Sequence, residues 1–135
     1  MTAVTNTGVT GFGQARPPGL PDELFARGDV PMTKSEVRAL TVAWAWLRPA
    51  DRVLDVGAGS GSLTVEAGLL CPEGEVVALE QKPQALALIK ENVARFGLRE
   101  GTGAGAIRIV CGQAPEAFAG LGAFDRVLLG GSGGR

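Results

Sequence analysis

Apolar positions along the chain change their period several times, and each change marks an element. Between Thr33 and Leu47, Val37, Leu40, Val42, Ala43, Trp44 and Leu47 recur at near-helical spacing. Thr33 with Glu36 three residues later has the form of a capping box, which predicts a helix starting there. Arg52 to Val56 is a short run of β-branched residues and Leu that breaks into glycines, and the apolar helical pattern of Ser62 to Leu70 follows at once. Strand, tight turn and helix are the prediction. The order then repeats, with Glu75 to Glu80 as strand, Lys82 to Phe96 as helix stopped by Gly97, and Ala106 to Cys111 as strand after a Gly101 to Gly105 loop. Ala114 to Leu121 reads as a short helix, and Phe124 to Leu129 as a fourth strand running into Gly130-Gly131-Ser132-Gly133-Gly134.

Apolar strands alternating with helices predict a doubly wound α/β fold, a mostly parallel sheet covered on both faces. Such sheets take ligands at the carboxyl ends of their strands, so the loops after Val56, Leu79, Val110 and Leu129 are the places to look for a site. Residues 1–19, rich in Thr, Gly and Pro and ending in Pro17-Pro18-Gly19, read as a flexible lead-in to one domain over 20–135.

Composition narrows the chemistry. A 135-residue chain that is 45% hydrophobic can bury one core. A formal net charge of −1, with acids and bases mixed, argues against nucleic acid or a membrane as partner and for a small molecule. The chain has no histidine, and its two cysteines, Cys71 and Cys111, lack CxxC spacing, so zinc-type ligand sets and an imidazole base are excluded. No cationic region followed by a long apolar run opens the chain, which places the protein in the cytoplasm with both thiols reduced. Both cysteines are expected to be inert and buried. Trp44 and Trp46, two apart, cannot share a helix face, and at least one is expected in the core.

The segment Asp55-Val56-Gly57-Ala58-Gly59-Ser60-Gly61 joins a strand to a helix. Glycines let the backbone turn and approach a ligand without a Cβ in the way, and free N–H groups at the helix start face whatever sits there. A dinucleotide fingerprint would need glycine at position 62, where Ser62 stands. Glu80 closes the second strand, and its two carboxylate oxygens match the vicinal hydroxyls of a ribose. Taken alone it would be a solvated strand-end charge. Cys111-Gly112-Gln113-Ala114-Pro115-Glu116 ends the third strand, and Pro115 suits an early helical position there.

The GxGxG spacing after Asp55 resembles the first motif of class I methyltransferases, whose glycine loop cradles the methionine part of S-adenosyl-L-methionine. The resemblance implies a Rossmann-like fold, a ribose contact at Glu80, and an adenine-covering loop at Gln113 and Ala114. An acidic residue often stands in that family where Gln113 is, so a backbone contact at Ala114 is the firmer expectation. The blocks PGLPDELF from Pro18, VPMTKSEVR from Val30, DVGAGSG from Asp55, APE from Ala114 and GGSGG from Gly130 together resemble the precorrin C15-methyltransferase and decarboxylase family of cobalamin biosynthesis. They cover residues 18–134. By this resemblance Thr33 contacts the cofactor, and it can also cap the helix. The cofactor set is then Thr33, Gly57, Ala58, Gly59, Ser60, Gly61, Glu80, Gln113 and Ala114. No residue is assigned to catalysis.

The family's activity fits a chain without histidine. A reduced tetrapyrrole has electron-rich, enamine-like carbons, and its conjugated ring accepts the electron pair released when an acetate arm loses carbon dioxide. The protein's task is to hold carbon and methyl in line and exclude water. A polycarboxylate substrate calls for basic groups, and Lys34, Arg38 and Lys82 border the candidate loops. The resemblance also implies a homo-oligomer, a tetramer. Set against a full class I domain, the chain reads as lacking its last strands, with Phe124 to Leu129 left as an open edge. A poor catalyst that binds cofactor and self-associates is therefore expected. The competing readings are a class I methyltransferase for another small molecule, RNA or protein, and a non-catalytic S-adenosylmethionine-binding protein.

Overall fold

The computed structural model describes residues 15–130. The expectations for residues 1–14 and for the glycine run after Gly130 lie outside them. Five strands form one parallel sheet: β1 (Arg52–Val56), β2 (Glu75–Glu80), β3 (Arg99–Glu100), β4 (Ala106–Cys111) and β5 (Arg126–Leu129), in the order β3-β4-β2-β1-β5. Three helices, α1 (Ser35–Ala45), α2 (Ser62–Leu70) and α3 (Pro83–Arg95), pack on one face. The sequence resolves β1, α2, β2 and β4 with the bounds found here. It misses β3, a two-residue edge strand of exposed charged residues without apolar periodicity. The short helix expected over Ala114 to Leu121 is only a 3-10 turn at Glu116–Phe118.

α2 has apolar residues all round and is buried from Ser62 to Gly68, which suits a helix enclosed by its neighbours. α3 is amphipathic, with Ala85, Ile89, Asn92 and Val93 turned inward. It stops at Gly97, whose φ of +73° and N–H bond to the Ala94 carbonyl make the expected left-handed terminus. α1 is shorter than its apolar pattern suggests. Lys34 stands at its cap position with no side-chain hydrogen bond, so the expected Thr33–Glu36 capping box does not form. At its other end Trp46 turns to φ +51°. Both tryptophans are on the surface, Trp44 at 82% and Trp46 at 77% exposure, against the expectation that one packs inside.

Chain order sets the location of the site. The sheet winds from β1 outward through β2 to β4 and then returns to place β5 on the other side of β1. Winding direction reverses between β1 and β5, and the crevice at the carboxyl ends there is where open α/β sheets take ligands. Above one sheet face, Val53, Val76, Ala78, Ile107 and Leu128 pack under the helices. Below the other, Leu54, Val77, Leu79 and Leu121 are covered by residues 110–124. A separate cluster of Leu20, Leu24, Phe25, Val65 and Phe96 fastens the segment before α1 to the domain, with the Phe25 and Phe96 rings 4.9 Å apart.

Candidate cofactor site

Strand register brings the four suspected loops together. Val56 pairs with Leu79 and with Leu129, and Glu80 pairs with Cys111, so the ends of β1, β2, β4 and β5 lie abreast. The glycine loop leaves β1 by donating Gly57 N–H and Ala58 N–H to the Leu79 carbonyl, at 2.9 and 3.1 Å. Its glycines have positive φ at 57, 59 and 61, but their surroundings differ. A Cβ on Gly57 would lie 2.8 Å from the Gly130 carbonyl oxygen, and one on Gly61 would lie 3.1 Å from the Ile89 backbone. Both positions serve close packing. At Gly59 the nearest atoms would be the Pro31 carbonyl oxygen at 3.5 Å and Val30 Cγ1 at 3.8 Å. Residues 30–31 thus pass over the loop, and the half-buried Thr33 follows two residues after Pro31, its carbonyl bonded by Arg38.

Glu80 is almost fully buried and braces the loop. Its Oε1 accepts Gly59 N–H at 2.8 Å, and its Oε2 accepts the N–H groups of Gln81 and Lys82 at 3.1 Å. Carboxylate oxygens have further lone-pair capacity, so these bonds leave room for hydroxyl donors. Asp55 lies beneath the loop with no exposed surface. Its Oδ2 accepts the Thr64 hydroxyl at 2.6 Å, while Oδ1 has no partner among the described residues. Burial pushes its carboxyl up to about 7, with the Thr64 hydrogen bond opposing and the charge of Glu80 adding. Gln113 is exposed and Ala114 half-buried in the loop after β4, where Gly112 N–H donates to the Glu80 carbonyl at 3.0 Å.

The residues present fit a nucleoside-sulfonium cofactor. Two buried polar atoms at the loop, Asp55 Oδ1 and Ser60 Oγ, lack partners among the described residues. The loop approaches without a Cβ at Gly59, and a carboxylate stands at the end of the neighbouring strand. The structure thus brings Gly57, Ala58, Gly59, Ser60, Gly61, Glu80, Gln113 and Ala114 to one end of the sheet, with the Thr33 segment across from them.

Other expectations need correction. Arg38 is completely buried and its charge is spent internally: Nε lies 2.8 Å from Glu66 Oε2, Nη1 lies 2.9 Å from Asp22 Oδ1, and further bonds reach the Thr33 and Leu20 carbonyls. It cannot meet a substrate carboxylate. Lys34 and Lys82 are exposed. Cys111 is exposed at the end of β4, not buried. Cys71 is buried as expected, and burial, with the charges of Asp51 and Asp125, pushes its thiol up to about 11. Sequence reasoning also passed over Asn92, although its place on the apolar stripe of α3 was a signal.

A parallel sheet with its glycine loop at the switch point, and a carboxylate closing the next strand, defines a class I methyltransferase fold. Known proteins bear this out and narrow it. Residues 23–135 match the family model described as the precorrin methyltransferase domain, and the chain belongs to that family. A probable cobalt-precorrin-6B C(15)-methyltransferase (decarboxylating) of Pyrobaculum calidifontis is 44% identical over 118 residues, 86% of this chain and 58% of the relative. The cobalt-precorrin-6B C(15)-methyltransferase (decarboxylating) of Salmonella typhimurium is 46% identical over 114 residues, 84% of this chain and 55% of the relative. Among solved structures, precorrin-6y C5,15-methyltransferase of Geobacter metallireducens superposes with a TM-score of 0.75 at 38% identity, covering 88% of this chain and 60% of that one. The chain therefore spans little more than half the length of the curated relatives it matches.

Proposed function

We propose that the chain binds S-adenosyl-L-methionine and is the cofactor-holding part of an enzyme that methylates a precorrin at C15 and decarboxylates its acetate side chain. Family membership combined with the Glu80 brace carries the reading. The same carboxylate that shapes the glycine loop through Gly59 faces the crevice where a ribose would lie. Glu80 would accept the ribose hydroxyls, the backbone of Ala58 to Gly61 would face the methionine part, and Gln113 with Ala114 would border the adenine. Thr33 would close the site from the opposite side. When bound, the cofactor supplies an electrophilic methyl group.

The chain's own contribution is to orient and to exclude water. Residues 30–31 shield the loop on one side, and the Asp55 carboxyl, fully buried beneath it, offers Oδ1 as the remaining polar contact. An electron-rich tetrapyrrole carbon needs no strong base, which suits a chain without histidine. Exposed Lys34 and Lys82 are the basic groups available at the rim for substrate carboxylates. No helix among the described residues is long and apolar enough to cross a membrane. A cytoplasmic, homo-oligomeric enzyme acting on a small molecule, without nucleic acid or membrane as partner, completes the reading.

A second reading, that the chain binds cofactor with little methyl transfer, is favoured by the exposed apolar residues of β5, which pairs only with β1 among the described residues: Val127 and Leu129 are 55% and 72% exposed. Calorimetric titration with S-adenosylhomocysteine tests the first step and a methyl-transfer assay on a precorrin the second. Absence of binding would overturn both readings, and turnover at the rate of a longer relative would overturn the second.

A further inference from the structure

The segment from Gly19 to Lys34 is a strap across the site, held by buried polar side chains on three different helices. Glu66 of α2 accepts the N–H groups of Gly19 and Leu20 at 2.8 and 2.9 Å, and Arg38 of α1 holds the Leu20 and Thr33 carbonyls. Asn92 of α3 does something the pair does not. Its Oδ1 accepts Ala26 N–H at 2.8 Å, while its Nδ2 donates to the Ser60 carbonyl at 2.8 Å and, more weakly, to the Ala26 carbonyl at 3.4 Å. One fully buried amide therefore joins the middle of the strap to the glycine loop, four residues before the strap passes over Gly59 at Val30.

We infer that Asn92 is a positioning residue for the cofactor, setting the separation between the glycine loop and the strap that forms the opposite wall of the site. This rests on the cofactor reading above. The physical reason is specific to an amide. A carboxylate could accept from Ala26 but not donate to Ser60, and an aliphatic side chain would leave the Ala26 N–H and the Ser60 carbonyl buried without partners. Those two groups can regain partners only by moving apart to admit water, which widens the site.

The test compares Asn92→Leu, which keeps the same number and branching of side-chain heavy atoms, with Val93→Ala, a buried apolar neighbour on the same helix whose side chain makes no hydrogen bond. Thermal melting, calorimetric affinity for S-adenosylhomocysteine, and amide hydrogen exchange are measured on each. Asn92→Leu is expected to bind about tenfold more weakly, the scale of one or two lost hydrogen bonds, with faster exchange confined to residues 24–33 and 57–62. Val93→Ala should lower the melting temperature and leave affinity within about twofold. Unchanged affinity in Asn92→Leu, or an equal loss in Val93→Ala, overturns the inference. Should Asn92→Leu fail to fold, Asn92→Ser is read by the same criteria. If the unaltered chain itself does not bind, the cofactor reading has failed. The exchange data then decide alone: joint loosening of both segments supports the coupling by Asn92, and unchanged exchange in them overturns it.

Discussion

At the scale of single residues, the two carboxylates of the site carry different predictions. Glu80 uses both oxygens to hold backbone N–H groups and is the only side chain bonded to the glycine loop from β2. Glu80→Ala should weaken S-adenosylhomocysteine binding by about 1 to 3 kcal/mol, the scale for hydrogen bonds to a charged group. Glu80→Gln, which retains one acceptor, should fall between. Equal affinities in calorimetry would remove Glu80 from the site. Asp55 predicts a pH dependence instead. Its folded-state value of about 7 lies above its ordinary 3.8, so the native state holds the proton more tightly than the unfolded chain. The stability this contributes is complete below the ordinary value and is lost as pH rises through 7. Urea unfolding of the ligand-free protein between about pH 4 and pH 8 should show that decline, and Asp55→Asn should remove it. A slope that persists in Asp55→Asn would place the titrating group elsewhere.

At the scale of elements, the glycine loop contrasts two positions that look alike in sequence. Gly59 and Gly61 both have positive φ, so an alanine at either costs about 1 to 2 kcal/mol of backbone strain. Only at Gly61 would an added Cβ press against Ile89, at 3.1 Å from its backbone and 3.3 Å from its side chain. Gly61→Ala should therefore separate α2 from α3 and lower the melting temperature sharply. Gly59→Ala should melt only slightly earlier yet lose more cofactor affinity, because its Cβ enters the gap under Val30 and Pro31. Parallel losses of stability and affinity in the two variants would show the loop to be a turn and nothing more. Much of this was legible beforehand, because short apolar strand runs, 3.6-period helices and glycine punctuation are local signals. Contacts made between distant residues were not. Arg38 reads as a surface cation and Glu66 as a lone charge in an apolar helix until folding places their side chains 2.8 Å apart. Trp44 or Trp46 was expected to help a core that Val42 supplies instead. Likewise the Thr33 cap yielded to the strap, whose Thr33 carbonyl is claimed by Arg38.

At the scale of the whole molecule, the features around β5 point to association of a polypeptide of these 135 residues. Among the described residues β5 pairs only with β1, so its other side presents unpaired N–H and C=O groups. On one face of that edge Val127 borders an apolar hollow of about 290 Å³ lined with Leu54, Phe118, Gly122 and Phe124. On the other face lies α1, which Arg126 ties to the edge through the Ala45 carbonyl at 2.7 Å. Its outer stripe of Val37, Leu40 and Trp44 is 55%, 65% and 82% exposed. An apolar strand edge such as Val127 to Leu129, which carries no charge, is a template for another chain, and contiguous apolar patches beside it add area to be buried. Sedimentation velocity over a range of concentrations should therefore show reversible association. Val127→Lys puts a charge beside the open edge and should shift the population toward monomer, while Leu40→Glu tests the helix stripe separately. If only Leu40→Glu acts, α1 is the contact and the strand edge is not. A monodisperse monomer in the unaltered chain would mean that the twist of a four-residue edge strand is protection enough, and that exposed Leu129 and Val127 tolerate water without seeking a partner.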